Sequence, residues 1–163
     1  MMTRLKYLLV VFSVLTVTGC EKNRWADFEA KLIQEYIDSL EDTVYVKYPS
    51  GLYYIELNGG TGPFPADNDT VYFKYKAAFI DYVQFDTNEP YTKPVEYVLG
   101  SYVGMSVKGV DEGLHYMRKG GTARLLTPSS LAYGFEGIWG IVAGYTPIIW
   151  TLELDSIKVH AGR

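Results

Sequence analysis

The segment that most constrains the fold lies near the end of the chain. Ile148, Trp150, Leu152 and Leu154 alternate there with Ile149, Thr151, Glu153 and Asp155. Successive side chains of a strand point to opposite faces, so this alternation predicts a strand with one buried face. Such a strand needs partners, and Leu52 to Leu57, Thr70 to Phe79, Val95 to Leu99 and Thr122 to Thr127 read as those partners. In the second of them Val71, Phe73 and Tyr75 share a face. Only two segments carry a helical period. Val110, Leu114 and Met117 stand at i, i+4 and i+7 within a helix read over Val107 to Lys119, which Gly120-Gly121 would end. Earlier, Trp25, Phe28, Leu32, Ile33, Tyr36, Ile37 and Leu40 recur by threes and fours, with Asp27, Glu29, Lys31, Glu35 and Asp38 on the wet face. This amphipathic helix could act as a dimerisation arm or pack on its own domain, and its length favours packing. The order of elements predicts an α+β fold in which an antiparallel sheet wraps one short helix.

The connections exclude several chemistries. Pro49-Ser50-Gly51 is a turn, and Asn58 to Asn68 form a glycine- and proline-rich loop. No Lys-Ser/Thr follows those glycines and the next element is a strand, so this is no phosphate-binding loop. Phe85 and Asp86 follow a bend and lead into a polar loop closed by Pro90 and Pro94, while residues 135–147 are a long apolar loop. The only histidines, His115 and His160, lack metal-ligand spacing, so no metal and no cofactor is expected. Ser129-Ser130 lacks the Gly-x-Ser-x-Gly frame of a hydrolase. The 15 tyrosines favour a β-rich fold with an aromatic-lined groove.

Arg4 and Lys6 precede an apolar run from Tyr7 to Thr18, too short to span a bilayer and laid out as a secretory signal. The run ends in Val17-Thr18-Gly19-Cys20, which resembles a bacterial lipoprotein processing site. Cys20 is the only cysteine, so no internal disulfide forms. Cleavage before a lipidated Cys20 would leave a membrane-tethered domain, since two or more acyl chains anchor stably. Removing Arg4 and Lys6 leaves 13 basic against 19 acidic residues, a net charge of −6 instead of −4. That balance gives no electrostatic footprint for nucleic acid. The expected organisation is a signal peptide over 1–19, a lipidated tether and helix over 20–48, and the folded domain over 49–163. Glu21 after the cysteine points to the outer membrane; the oligomeric state is left open.

From Thr70 to Ile157 the residues line up with a known pattern: Val71-Tyr72-Phe73-Lys74-Tyr75, Phe85-Asp86-Thr87-Asn88, Pro94, Leu99-Gly100, Lys108-Gly109, Gly113-Leu114, Ala123-Arg124-Leu125, Leu131-Ala132-Tyr133-Gly134 and Trp150-Thr151-Leu152-Glu153-Leu154, with a small insertion around Tyr102 to Met105. As a set they resemble the FKBP-type peptidyl-prolyl isomerases. The resemblance implies an FKBP-like bent antiparallel β-sheet around a short central α-helix, and catalysis of rotation about X–Pro bonds in exported proline-containing polypeptides. It implies catalytic roles for Asp86 and Tyr133. Tyr75, Phe85, Val95, Val107, Val110, Ile138, Ile141, Val142 and Trp150 would bind substrate, Val107 through its backbone N–H. Val110 stands where the family usually has a tryptophan floor, and Val95 where an aromatic is common. Ile138 replaces a polar residue or histidine, and Ile141-Val142-Ala143-Gly144 replaces the usual Ile-Pro-Pro character of the long loop. These changes reduce aromatic area, so a peptide-binding lipoprotein of low activity is the alternative. A tyrosine-rich surface protein that stacks on glycans is a more distant one.

Replacing Cys20 with Ser is expected to abolish palmitate labelling in a bacterial host and to release the protein from the membrane fraction; continued labelling of the variant would contradict the processing site.

Overall fold

The computed structural model describes residues 24–89, 93–103 and 107–162. The expected signal segment, Cys20 and the tether up to residue 23 lie outside the described residues, as do Pro90 and Met105. Helix α1 covers residues 24–38. The strands are β1 (Val46–Lys47), β2 (Tyr53–Asn58), β3 (Thr70–Ala78), β4 (Gln84–Thr87), β5 (Val95–Val98), β6 (Thr122–Thr127) and β7 (Ile148–Lys158), with α2 (Lys108–His115) between β5 and β6 and a 3₁₀ turn at Ser129–Leu131. All pairings are antiparallel, in the order β1-β2-β6-β7-β3-β4, and β5 also pairs with β3.

The spine of the sheet is β3 on β7, paired from Thr70 opposite Lys158 to Ala78 opposite Ile149. One edge of β3 is shared: Thr70 to Phe73 pair with β5 and Lys76 to Ala78 with β4. Register shifts at Tyr72/Phe73 and Ala77/Ala78 bend the sheet there, as bulges do. Its concave face closes over α2. Leu52, Val71, Phe73, Leu114, Leu125, Leu152 and Leu154, each no more than 1% exposed, pack there with Val110. Burying one such side chain contributes about 1.5–3 kcal/mol. A Cβ on Gly109 would lie 2.4 Å from Thr127 Cγ2 and 3.3 Å from Leu131 Cβ, so glycine lets α2 approach β6 and the turn after it.

Helix α1 covers the convex face. Ile33, Tyr36 and Ile37 pack on Tyr53, Leu126 and Ile149. The expectation that Ile149 faces outward with the polar residues of β7 is therefore corrected: α1 buries it. Glu29, expected on the wet face, is buried too, against Ser129. Trp25 and Phe28, read as part of the packed stripe, are instead about half exposed and meet edge-to-face at 6.3 Å. Neither belongs to the cluster that Ile33, Tyr36 and Ile37 form with Tyr53, Leu126 and Ile149. Helix α2 is shorter than its apolar period predicts. It stops at His115 because the following chain is drawn into other pairings: Gly120 donates to the Leu154 carbonyl (2.7 Å) and Thr61 to the Lys119 carbonyl (2.8 Å). Strands β1 and β4 carry too little alternation to be read from sequence. Among the described residues no helix is long and apolar enough to cross a membrane.

Polar networks tie both ends of α2 to loops. Buried Asp111 accepts from the Tyr97 hydroxyl (2.7 Å) and the Gly100 amide (2.9 Å), and the Tyr97 oxygen accepts from the Tyr102 amide (3.1 Å). Burial and the bond to Asp111 push Tyr97 up to about 12. His115 faces the Asp111 carbonyl through Nδ1 (2.8 Å) and the Asp67 carboxylate through Nε2 (2.9 Å). Neither partner can donate, so both ring nitrogens must, and the geometry calls for an imidazolium. Burial of the ring works against that charge, but the bonds and charges of Asp111 and Asp67 outweigh it and raise the pKa above 6.5.

A raised folded-state pKa gives stability that is complete below the ordinary histidine value and is lost as pH rises through the folded value. Urea denaturation between about pH 6 and pH 8 is expected to show a decline in stability that His115→Gln removes. The effect is small because the Asp67 side chain is 76% exposed and screened. An unchanged slope in the variant would contradict it.

Candidate functional site

The site is assembled at the end of the spine where buried Ala77 of β3 meets buried Trp150 of β7, beside β4. Period-two alternation puts Tyr75 on the concave face of β3, two residues after buried Phe73. On β7, Trp150 is opposite Ala77, and the small Ala77 leaves the space its indole fills. The Tyr75 and Trp150 rings lie 5.9 Å apart, Tyr133 and Trp150 6.3 Å, and Phe85 and Tyr133 6.4 Å edge-on. Four aromatic residues distant in sequence thus form one wall. Separations of 4.5–7 Å in tilted or edge-on arrangements are favourable for aromatic rings.

One carboxylate sits beside this wall. Asp86, exposed on β4, accepts from the Tyr75 hydroxyl at 3.0 Å through Oδ2 and from the Thr87 amide at 2.8 Å through Oδ1. Burial, then the hydrogen bond and charge of Asp86, push Tyr75 up to about 12; burial first and Asp86 second also raise Tyr133. Both phenols therefore stay protonated donors at neutral pH. Asn88 and Thr87 fix β4 to β3: the Tyr75 amide donates to Asn88 Oδ1 (2.7 Å), and the Thr87 hydroxyl donates to the Tyr75 carbonyl (2.8 Å).

The apolar residues expected here divide. Val107, Val110 and Val142 are buried, and Val95 and Ile138 are half-buried; all five belong to the same core cluster as Trp150. Val107 is the N-cap of α2 in extended conformation. Ile141 does not join them: it is 57% exposed, on the tip of the long loop beside Trp139, which is 99% exposed. The loop folds back there, with Ile138 and Val142 exchanging hydrogen bonds (2.8 and 2.9 Å), and this turns Ile141 outward. A Cβ on Gly144 would lie 2.0 Å from the Phe135 carbonyl oxygen, so glycine permits the two sides of the loop to close.

Sequence reasoning did not single out three supporting groups. Phe79 stacks on Phe85 at 4.7 Å. Buried Thr127 accepts from Trp150 Nε1 (3.1 Å) and donates to the Ile148 carbonyl (3.1 Å), which fixes the indole. Asn88 holds Tyr75. Thr127 falls on the same face as Leu125 by simple alternation, a usable signal; Asn88 stands in the family pattern with no role assigned, and nothing local marks Phe79. Among the described residues no group of three His, Cys, Asp or Glu side chains is placed to hold a metal.

Residues 62–155 match the family described as FKBP-type peptidyl-prolyl cis-trans isomerase. The chain belongs to that family. It is 36% identical over 134 residues to the FKBP-type peptidyl-prolyl cis-trans isomerase FkpA of Escherichia coli strain K12, a match covering 82% of this chain and 47% of that protein. It is 34% identical over 116 residues to the outer membrane protein MIP of Legionella longbeachae, covering 71% and 48%. The crystal structure of FkpA from Escherichia coli superposes with a TM-score of 0.71 at 30% identity, over 85% of this chain and 62% of that one. The chain spans about half the length of these two protein relatives. The family match and the superposition agree on the FKBP fold.

Asn88→Ala leaves the Tyr75 amide without its partner and is expected to lower stability by about 1–3 kcal/mol in urea denaturation. Glu89→Ala, which breaks only the exposed pair with Lys76, is expected to stay within about 0.5 kcal/mol. Equal losses in the two variants would contradict the role given to Asn88.

Proposed function

We propose that this protein is a peptidyl-prolyl cis-trans isomerase, acting on proline-containing segments of exported polypeptides at the aromatic site of β3, β4 and β7. The observation that carries this reading is the Tyr75–Asp86 hydrogen bond within the wall of Phe85, Tyr133 and Trp150, in a chain of this family. The X–Pro bond isomerises through a barrier of roughly 18–20 kcal/mol without breaking, so neither a nucleophile nor a metal is required. Each tenfold acceleration needs about 1.4 kcal/mol of preference for the twisted amide over the planar one.

The proline ring lies against Trp150 and between Tyr75 and Phe85, with Val107, Val110, Val142, Val95 and Ile138 completing the apolar surroundings. As the amide twists, its nitrogen loses resonance and its carbonyl carbon becomes ketone-like. Removing water from that group favours the less polar twisted form. The Tyr133 hydroxyl and the Val107 N–H donate to substrate carbonyls, while Asp86 holds Tyr75 and sits beside the twisting carbonyl. Ile141, on the rim, meets the chain that flanks the proline rather than the ring itself. The cell envelope is the proposed location, through a lipid anchor at Cys20; the name of the Legionella relative, an outer membrane protein, supports it.

A second reading, an FKBP-like module that holds apolar or proline-bearing peptides with little turnover, is favoured by Val110 and Val95. Buried Val110 offers less surface to a proline ring than an indole. A proline cis/trans assay with short peptides on the chain from Glu21 onward separates the two. Acceleration well above background, falling about tenfold or more in Asp86→Ala, is expected. No acceleration by a protein shown to be folded would overturn the isomerase reading in favour of the binding module.

A further inference from the structure

Of the acidic residues Asp27, Glu29, Glu35 and Asp38 on α1, Glu29 alone is buried. Its two carboxylate oxygens both engage Ser129, a residue one hundred positions along the chain and itself 4% exposed. Oε1 accepts from the Ser129 backbone N–H, and Oε2 accepts from the Ser129 hydroxyl at 2.8 Å. Charge-assisted bonds of this kind are roughly twice as strong as neutral ones. Ser129 opens the 3₁₀ turn that follows β6, and Pro128, its N-cap, supplies no side-chain hydrogen bond. The carboxylate from α1 serves in place of a local cap.

Ser129 is also the residue on which the segment carrying Tyr133 hangs. Its carbonyl accepts from the amides of Ala132 (2.9 Å) and Gly134 (2.7 Å), the two neighbours of Tyr133. The Tyr133 carbonyl then accepts from Gly137 (3.0 Å), and the Gly134 carbonyl from Tyr145 (3.0 Å), which closes the long loop. From Glu29 to the backbone on either side of Tyr133 each step is a hydrogen bond or one residue of chain.

We propose that Glu29 is a positioning residue for the isomerase site: by clamping Ser129 it sets the backbone that carries Tyr133, so α1 is a working part of the site and not a spacer between tether and domain. The proposal rests on the reading that Tyr133 touches the substrate. Without the carboxylate, a buried N–H and a buried hydroxyl lose their acceptor, and the turn relaxes toward water. Small displacements of a positioned group are costly in rate, up to about a hundredfold per ångström.

The test uses the full chain in detergent, with two measurements on three variants: kcat/KM for a prolyl peptide, and hydrogen exchange of the Ala132 and Gly134 amides. Glu29→Ala is expected to lower kcat/KM about fivefold to tenfold and to speed exchange at Gly134 by at least about tenfold. Glu29→Gln keeps one acceptor and is expected to fall between Glu29→Ala and the parent. Ile33→Ala loosens the packing of α1 on Tyr53, Leu126 and Ile149 without touching Ser129, and is expected to lower stability while leaving both readouts near the parent. Unchanged exchange at Gly134 in Glu29→Ala would overturn the clamp. Faster exchange with an unchanged rate, or equal rate losses in Glu29→Ala and Ile33→Ala, would overturn the positioning role. Tyr133→Phe, measured beside them, identifies which claim fails: a parent-like rate there sinks the reading of Tyr133, whereas a slow Tyr133→Phe with a parent-like Glu29→Ala sinks only the role of Glu29.

Discussion

The pairing of β3 with β7 is the constraint on which the rest depends. It is the longest ladder in the sheet, and it alone sets Tyr75 and Trp150 on one face, with Ala77 opposite the indole. A strand repeats every two residues, so a slip of one would turn Tyr75 to solvent and Trp150 away from it. The register is held by what lies on both sides. Phe73, Leu152 and Leu154 face α2, while Ile149 faces α1. Burial on two faces makes a slipped register far more costly than in a sheet with one wet face.

Around this spine the site is stiffened by polar contacts rather than by additional core. Thr127 holds the indole nitrogen, Asn88 and Thr87 hold the backbone of Tyr75, and Asp86 holds its hydroxyl. None of these groups would bind a proline ring by itself. Their effect is to keep four aromatic side chains in fixed relative positions, as the proposed isomerisation would require. That suits a reaction whose acceleration comes from shape and desolvation and not from covalent chemistry.

The fold was legible where one physical signal dominated. Alternation along β7 and β3 and the spacing of Val110, Leu114 and Met117 marked the sheet and its helix, and the FKBP resemblance added their arrangement. Residues decided by tertiary contacts were not legible. Glu29 reads as a wet-face acid until Ser129 is brought beside it, and Ile149 reads as outward until α1 lies over it. Helix α2 ends at His115 because the chain after it is recruited by β7 and the loop near Thr61, which no local propensity announces. At the site the same division holds: Tyr75, Phe85, Tyr133 and Trp150 come together, while the loop reversal between Ile138 and Val142 carries Ile141 out to the rim.

The central claim is that an X–Pro bond is bound and turned at the aromatic end of the β3–β7 spine. The most direct measurement is an NMR titration of the labelled protein with a prolyl peptide, read together with cis/trans exchange of the peptide itself. The account predicts that exchange broadens or accelerates while the Trp150 indole N–H and the amides of Val107 and Tyr133 shift together. Shifts confined to another surface, such as the groove of Tyr48, Tyr54 and Tyr116 at the C-terminal end of α2, with no change in peptide exchange, would contradict it.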